Sequence, residues 1–440
     1  YPLRRQRQMC IRDREFIIHS GIDTIGGNIL EINTDRVRFF MDFGLSGGQA
    51  VDDQPDFSDL EREINQQSLP RLHHVFEVDQ LEHSPAIEPF QADRDKPLVI
   101  AISHLHIDHM GALKFLPPSA RIYLSRDSYC LLQTLVERGE EEGISAQVIP
   151  LDPGELVTLD DDLHLQLFPV DHDVVGASAV FIQATGFKIV HSGDLRQTGY
   201  QPDLTKQMVD LAREFQPDLL LMEGTSFSFD EDKEGFDSEA AMLKAFDQAL
   251  NQDDFLVINP YPRNVDRLRQ LNQVATQANR QIVWEESYAK LIASFYPEES
   301  LLVIAEDGKV KPGRVFLDNI KVEPKQYVLQ NSFFHLSRLE GLALSGTYLH
   351  LNGEPLGDFD SHFDQLQTFL QDKNFSYQNF GVSGHATKSD LLGIVKAIGA
   401  KKTLAWHTFE PDKFRQALEG EGLDTFQVEP GEVFTAEDFL

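Results

Sequence analysis

Cysteine is scarce: Cys10 and Cys130 are the only two among 440 residues. That excludes a disulfide framework and suits a reducing compartment, so a cytoplasmic protein is expected. Long apolar runs are missing too. No stretch approaches the roughly 20 residues of a membrane-spanning helix, and no signal-peptide-like apolar core follows the first residues. Positive charge is short, with 39 Lys and Arg against 71 Asp and Glu, a formal net charge of −32. Such a surface repels nucleic acid and anionic lipid over most of its area. No membrane partner is therefore expected, and a polyanionic substrate would need a local basic groove or metal ions. No internal repeat is visible. What is present has the composition of a folded soluble chain, long enough for two or three domains.

Residues 1–14, YPLRRQRQMCIRDR, carry five arginines and read as a non-native leader. From residue 15, FIIHSG, GNILEI and RVRFFMDFG alternate or run apolar between glycines, as in a β-meander. The connection 51–97 is acidic and proline-bearing, partly helical at DLEREINQQ, and is expected to add nothing to the core. PLVIAIS, ARIYLS, LHLQLFPV, SAVFIQAT, FKIVHSGD and PDLLLMEG continue the strands, with LTKQMVDLAREF as a helix, so 15–225 reads as an α/β sandwich. From 226 to 375 helices and strands alternate, as in DSEAAMLKAFDQALNQ, DFLVINP and RQIVWEE, which predicts a separate α/β unit. Residues 376–440 return to the first texture. The middle segment therefore reads as an insertion.

The densest chemistry lies in LVIAISHLHIDHMGALKFL, residues 98–116, where a run of strand formers gives way to His104, His106, Asp108 and His109. His104 and His106 are two apart, so in extended chain they face one side and can share a metal. Asp108 and His109 follow and can address a second. Imidazole nitrogen with carboxylate oxygen suits Zn²⁺ or Mn²⁺. One histidine at a helix start is unremarkable; three with an aspartate are not.

SHLHIDH resembles the His-x-His-x-Asp-His signature of the metallo-β-lactamase fold, an αββα sandwich. The resemblance implies further site residues at later strand ends. Asp42 in FFMDFG matches the buried aspartate that orients a ligand. His172 in FPVDHDVVG matches the third histidine of the first metal, and Asp194 in IVHSGDLR the carboxylate that bridges both. Glu223 in LLLMEGTSF resembles the acidic motif opening the β-CASP insertion, and NPYPRNVDRLRQL a helix start within it. FGVSGHAT resembles the Ser-Gly-His-Ala segment of ribonuclease J and its relatives, and His407 in AWHTFEP matches the closing metal ligand. The expected architecture is thus a metallo-β-lactamase sandwich with an inserted β-CASP α/β domain, similar to a shortened ribonuclease J without its C-terminal domain.

On that resemblance His104, His106 and His172 are assigned to one metal and Asp108, His109 and His407 to another, bridged by Asp194. Zinc is the first choice and manganese the second. Two such ions can activate a hydroxide and stabilise the oxygens of an in-line phosphoryl displacement, which makes Asp108 and Asp194 catalytic candidates. Glu223 is expected to hold a ligand histidine. Ser383 and the backbone N–H groups of Gly384 and Ala386 could bind phosphate, and the resemblance implies that His385 contacts the scissile phosphate or assists the leaving oxygen. Arg263, Arg267, Arg269, Lys309, Lys311, Arg314, Lys321 and Lys325 are candidates for a basic channel. The expected activity is a zinc-dependent exo- and/or endoribonuclease in RNA processing or decay, with RNA as substrate and a homodimer left open. Two rivals are a metallo-hydrolase of a small ester, thioester or lactam, and an RNA-binding scaffold subunit.

Overall fold

The computed structural model describes residues 14–51, 54–229, 235–305, 313–357, 360 and 362–440. It contains two compact units. The first comprises residues 1–197, 201–231 and 385–440, the second 198–200 and 232–384.

The first unit holds two seven-stranded sheets. One runs Val433–Phe434, β1 (Glu15–Ser20), β2 (Ile29–Asn33), β3 (Arg38–Met41), β4 (Leu98–Ala101), β5 (Arg121–Ser125) and β6 (Gln147–Leu151). The other contains β7 (Val157–Thr158), β8 (His164–Pro169), β9 (Ser178–Ala184), β10 (Phe187–His191) and β11 (Leu219–Glu223), then Lys402–Trp406 and Thr425–Phe426. Inward side chains from both sheets form one apolar core. Phe16, Ile32, Phe39 and Val99 meet Leu165, Val180, Ile182 and Ile189 there. Helix Arg126–Glu137 on the first sheet and helices Pro202–Phe215 and Lys388–Ile398 on the second supply the outer layers of an αββα sandwich. The direction of the second sheet's strands decides where chemistry can sit. β8 and β10 both pair antiparallel with β9, so they run alike. β11 and Lys402–Trp406 run parallel with β10. The carboxyl ends of these four strands therefore open at one edge, where loops can carry polar side chains without disturbing the core.

Two expectations need correction. Arg14, assigned to the leader from sequence, is buried, ion-paired with Asp162 and placed over the Phe187 ring; residues 1–13 lie outside the described ones. The connection 51–97 is not merely peripheral. Leu60, Leu72, Val75 and Phe76 are fully buried, and Phe76 meets Phe43 edge-on at 6.4 Å between ring centroids. Its prolines and acids concealed an apolar minority that packs.

The second unit is a seven-stranded sheet in which every neighbouring pair is parallel: β12 (Leu256–Pro260), β13 (Gln281–Trp284), β14 (Leu302–Ile304), β15 (Arg314–Val315), β16 (Tyr327–Gln330), β17 (Gly346–Leu351) and β18 (Phe375–Asn379). The order is β15-β14-β13-β16-β12-β17-β18. Its strands are short apolar runs, as a parallel sheet buried on both faces requires. Sequence ended this unit at 375. The structure carries it on to Gly384, because β18 pairs with β17 as an edge strand. The basic-channel reading also loses members here. Arg267 is fully buried in a pair with Glu239, 2.6 Å apart, and donates to the Leu351 carbonyl. Arg269 is held by Glu298 and Glu299, Arg314 by Glu286 and Lys325 by Asp254. Lys309 and Lys311 lie outside the described residues.

Candidate metal centre

Each candidate side chain in the first unit follows a strand end. Asp42 comes directly after β3 with φ of +56°, a left-handed conformation that turns its carboxylate back into the protein. His104 and His106 lie between β4 and the short helix Ile107–Met110, which contributes Asp108 and His109. His172 and Asp194 follow β8 and β10, Glu223 ends β11, and His407 follows Lys402–Trp406 with φ of +54°. The loop after Asp42 packs so closely that a Cβ on Gly44 would fall 1.7 Å from the Asp108 carbonyl oxygen. Only glycine fits there.

The structure brings the seven ligand candidates into two groups that share one residue. His104, His106, His172 and Asp194 form the first, and Asp108, His109, Asp194 and His407 the second; within each group the donor atoms lie within 4.8 Å of one another. In the first, His106 Nδ1 is 3.1 Å from His104 Nε2 and 3.3 Å from His172 Nε2. In the second, Asp194 Oδ2 lies 3.2 Å from His109 Nε2 and 3.4 Å from His407 Nε2, and Asp108 Oδ2 lies 3.6 Å from His407 Nε2. These are spacings between neighbouring ligands of one ion.

Residues behind the groups fix which nitrogen faces inward. Asp42 is fully buried and takes four donors: the Ser103 N–H at 2.7 Å, the Ser103 hydroxyl at 2.9 Å, His109 Nδ1 at 2.8 Å and His191 Nε2 at 2.9 Å. His407 Nδ1 meets Asn28 Oδ1 at 3.0 Å, and His104 Nδ1 meets the Ser103 hydroxyl oxygen at 3.0 Å. Each contact leaves Nε2 to the cluster.

A divalent cation fits this donor set. The buried atoms His109 Nε2, His407 Nε2 and both carboxylate oxygens of Asp194 have no hydrogen-bond partner, which is costly unless something else satisfies them. Electrostatics agrees. Burial, reinforced by His109, holds His104 below its ordinary pKa, and burial brings His407 down to about 3, so both favour the neutral form that ligates. Burial would raise Asp194, but His407 and His109 outweigh it and keep the carboxylate ionised. Burial also opposes charge on His109, yet Asp194, Asp108 and Asp42 draw positive charge to that position.

Some expectations fall elsewhere. Glu223 does not hold one of the seven; its Oε1 lies 3.3 Å from His385 Nδ1, and its Oε2 accepts the Thr225 N–H at 2.9 Å. His385 belongs to neither group, although its Nδ1 is 3.9 Å from Asp194 Oδ2. Burial alone would lower His385, but Glu223 and then Asp194 push it up to about 9. The Ala386 N–H is spent on the Leu195 carbonyl at 2.7 Å, so it is not the phosphate donor expected from sequence. Ser383 and Gly384 are the last residues of the second unit. Sequence reasoning missed Asn28, Ser103 and Asp173. Asn28 gave no local signal, because its partner His407 is 379 residues away. Asp173 stood in view as the second aspartate of Asp-His-Asp.

Among known proteins, a model described as a beta-lactamase superfamily domain matches residues 75–251. Ribonuclease J of Pyrococcus abyssi is 25% identical over 199 residues, 43% of this chain and 44% of that protein. Integrator complex subunit 11 of Danio rerio is 29% identical over 149 residues, 29% of this chain and 24% of that protein. In sequence and fold the chain resembles the metallo-β-lactamase superfamily and its β-CASP members. The chain spans less than half the length of the curated relatives named above. A solved structure covers it almost entirely: a protein of unknown function from Enterococcus faecalis V583 superposes with a TM-score of 0.82 at 25% identity, over 96% of this chain and 99% of that one. The superfamily match contains His104 through Glu223. Asp42, His385 and His407 lie outside it and join the centre through the fold.

Proposed function

We propose that the chain is a ribonuclease that hydrolyses RNA phosphodiester bonds with two divalent cations, zinc before manganese. The observation that carries this reading is the sharing of Asp194 between two buried ligand groups. One shared carboxylate would let two cations be held by adjoining ligand groups, and such a pair would supply Lewis-acid polarisation and an activated water for in-line phosphoryl transfer. The name of one relative, ribonuclease J, sets RNA ahead of a small ester.

In this reading His104, His106 and His172 hold one cation, and Asp108, His109 and His407 the other. Asp42, Asn28 and Ser103 keep the ring nitrogens aimed. His385 carries a proton drawn to it by Glu223 and presents a positive ring to the substrate phosphate or the leaving oxygen, the placement a general acid needs.

The test compares labelled single-stranded RNA with p-nitrophenyl acetate, a thioester and a cephalosporin. RNA should be cut, chelator should stop the cutting, and zinc or manganese should restore it. Asp108→Ala should abolish the activity while unfolding as the parent does. Turnover of the small esters without RNA cleavage, or near-parental RNA cleavage by Asp108→Ala, would overturn the reading; RNA binding without turnover would indicate a scaffold subunit.

A further inference from the structure

His106 differs from the other imidazoles of its group. His104 and His172 meet it through Nε2, whereas His106 turns Nδ1 inward. With Nδ1 given to a cation, its Nε2 must carry the hydrogen and needs an acceptor. The facing group is Asp173. Its Oδ1 lies 3.5 Å from His106 Nε2 and 3.4 Å from His172 Nε2. That oxygen is buried and has no hydrogen-bond partner.

The surrounding loop explains why this aspartate is free for the task. Asp171, on the other side of His172, is committed to the fold. Its N–H donates to the Thr205 hydroxyl at 3.0 Å, its carbonyl accepts the Arg196 N–H at 2.7 Å, and its carboxylate pairs with the buried Arg196 at 3.5 Å. The Thr205 hydroxyl donates in turn to the Arg196 carbonyl at 2.9 Å. Asp171 thus anchors the loop, and Asp173 faces the imidazoles. Asp173 belongs to neither ligand group, which sets its role behind His106 and not on the cation.

We infer that Asp173 is a positioning residue that accepts the Nε2–H of His106 and fixes the ring with Nδ1 toward the first cation. It does for His106 what Asp42 does for His109 and Asn28 for His407. The inference rests on the metal assignment made above.

Titration with a chelator, with ions per chain counted by elemental analysis, tests it on the intact chain. The parent should give up its ions in two steps. Asp173→Ala should release the first-group ion at about 10–100-fold weaker chelation, the usual cost of losing such a partner, and leave the other step in place. Asp173→Asn keeps an oxygen acceptor for the ring N–H but is a poor metal ligand, so it should restore most of the lost affinity. Chelated forms of all three proteins should unfold alike. Unchanged release in Asp173→Ala would overturn the inference. So would Asp173→Asn failing as badly as Asp173→Ala, which would make Asp173 a direct ligand. A parent that holds no ion at all would instead sink the metal assignment itself.

Discussion

Four imidazoles of the centre have a defined oxygen facing the nitrogen they turn away from the cluster: Ser103 for His104, Asp173 for His106, Asp42 for His109 and Asn28 for His407. His385 departs from this pattern. Its Nδ1 faces Glu223, so the carboxylate favours the charged ring and not a ligating one. The separation predicts distinct phenotypes. His385→Ala should lower kcat on RNA by about two to four orders of magnitude, the range for loss of a general acid. Ions per chain should not change. An ion lost from His385→Ala would reassign this histidine to coordination, and elemental analysis beside single-turnover kinetics reads both results. Local spacing could single out His104, His106, Asp108 and His109. The partners behind them were less legible from spacing: Asp42 was found only through the family resemblance, and Asn28 reaches the site through closure of distant loops.

At the scale of elements, the first three strands are tied by a polar cluster distinct from the two ligand groups. Glu31 on β2 is buried, 2.6 Å from Arg38 Nε on β3 and 2.9 Å from His19 Nε2 on β1. Burial would raise its pKa, but His19 and Arg38 together bring it from 4.5 down to about 2. A carboxylate with a depressed native pKa adds stability above its unfolded value, and that stability fades as pH falls toward the folded one. The contribution is on the order of 3 kcal/mol at neutral pH. Glu31→Gln should therefore unfold at lower urea than the parent at pH 7, with the gap narrowing below pH 4.5 and closing near pH 2. A gap that stays constant across that range would show that the charge on Glu31 is not what stabilises these strands. The strands themselves were readable from alternation and glycine punctuation. The buried side of 51–97 was not, since scattered apolar residues among acids and prolines carry no period that identifies a packed face.

For the whole molecule, charge poses the sharpest constraint on any RNA-directed activity. The chain carries a formal −32, and several of the basic residues singled out from sequence face carboxylates. Arg267 is buried against Glu239, and Arg269, Arg314 and Lys325 each face a carboxylate. Sequence shows how many cations a segment has but not which carboxylates meet them, so the channel reading weakened while the metal reading gained geometry. The αββα architecture was legible because apolar runs mark strands and because the signature after β4 resembles a known family. The end of the second unit was less so, since FSYQN alternates weakly and becomes a strand by pairing with β17. On the proposed function, positive charge for a phosphodiester would come chiefly from the cations that Asp194 would hold together. Elemental analysis of protein purified without chelator tests this most directly. The shared carboxylate predicts close to two zinc or manganese ions per chain, falling toward one in His407→Ala. A single ion per chain in the parent, unchanged by His407→Ala, would contradict it.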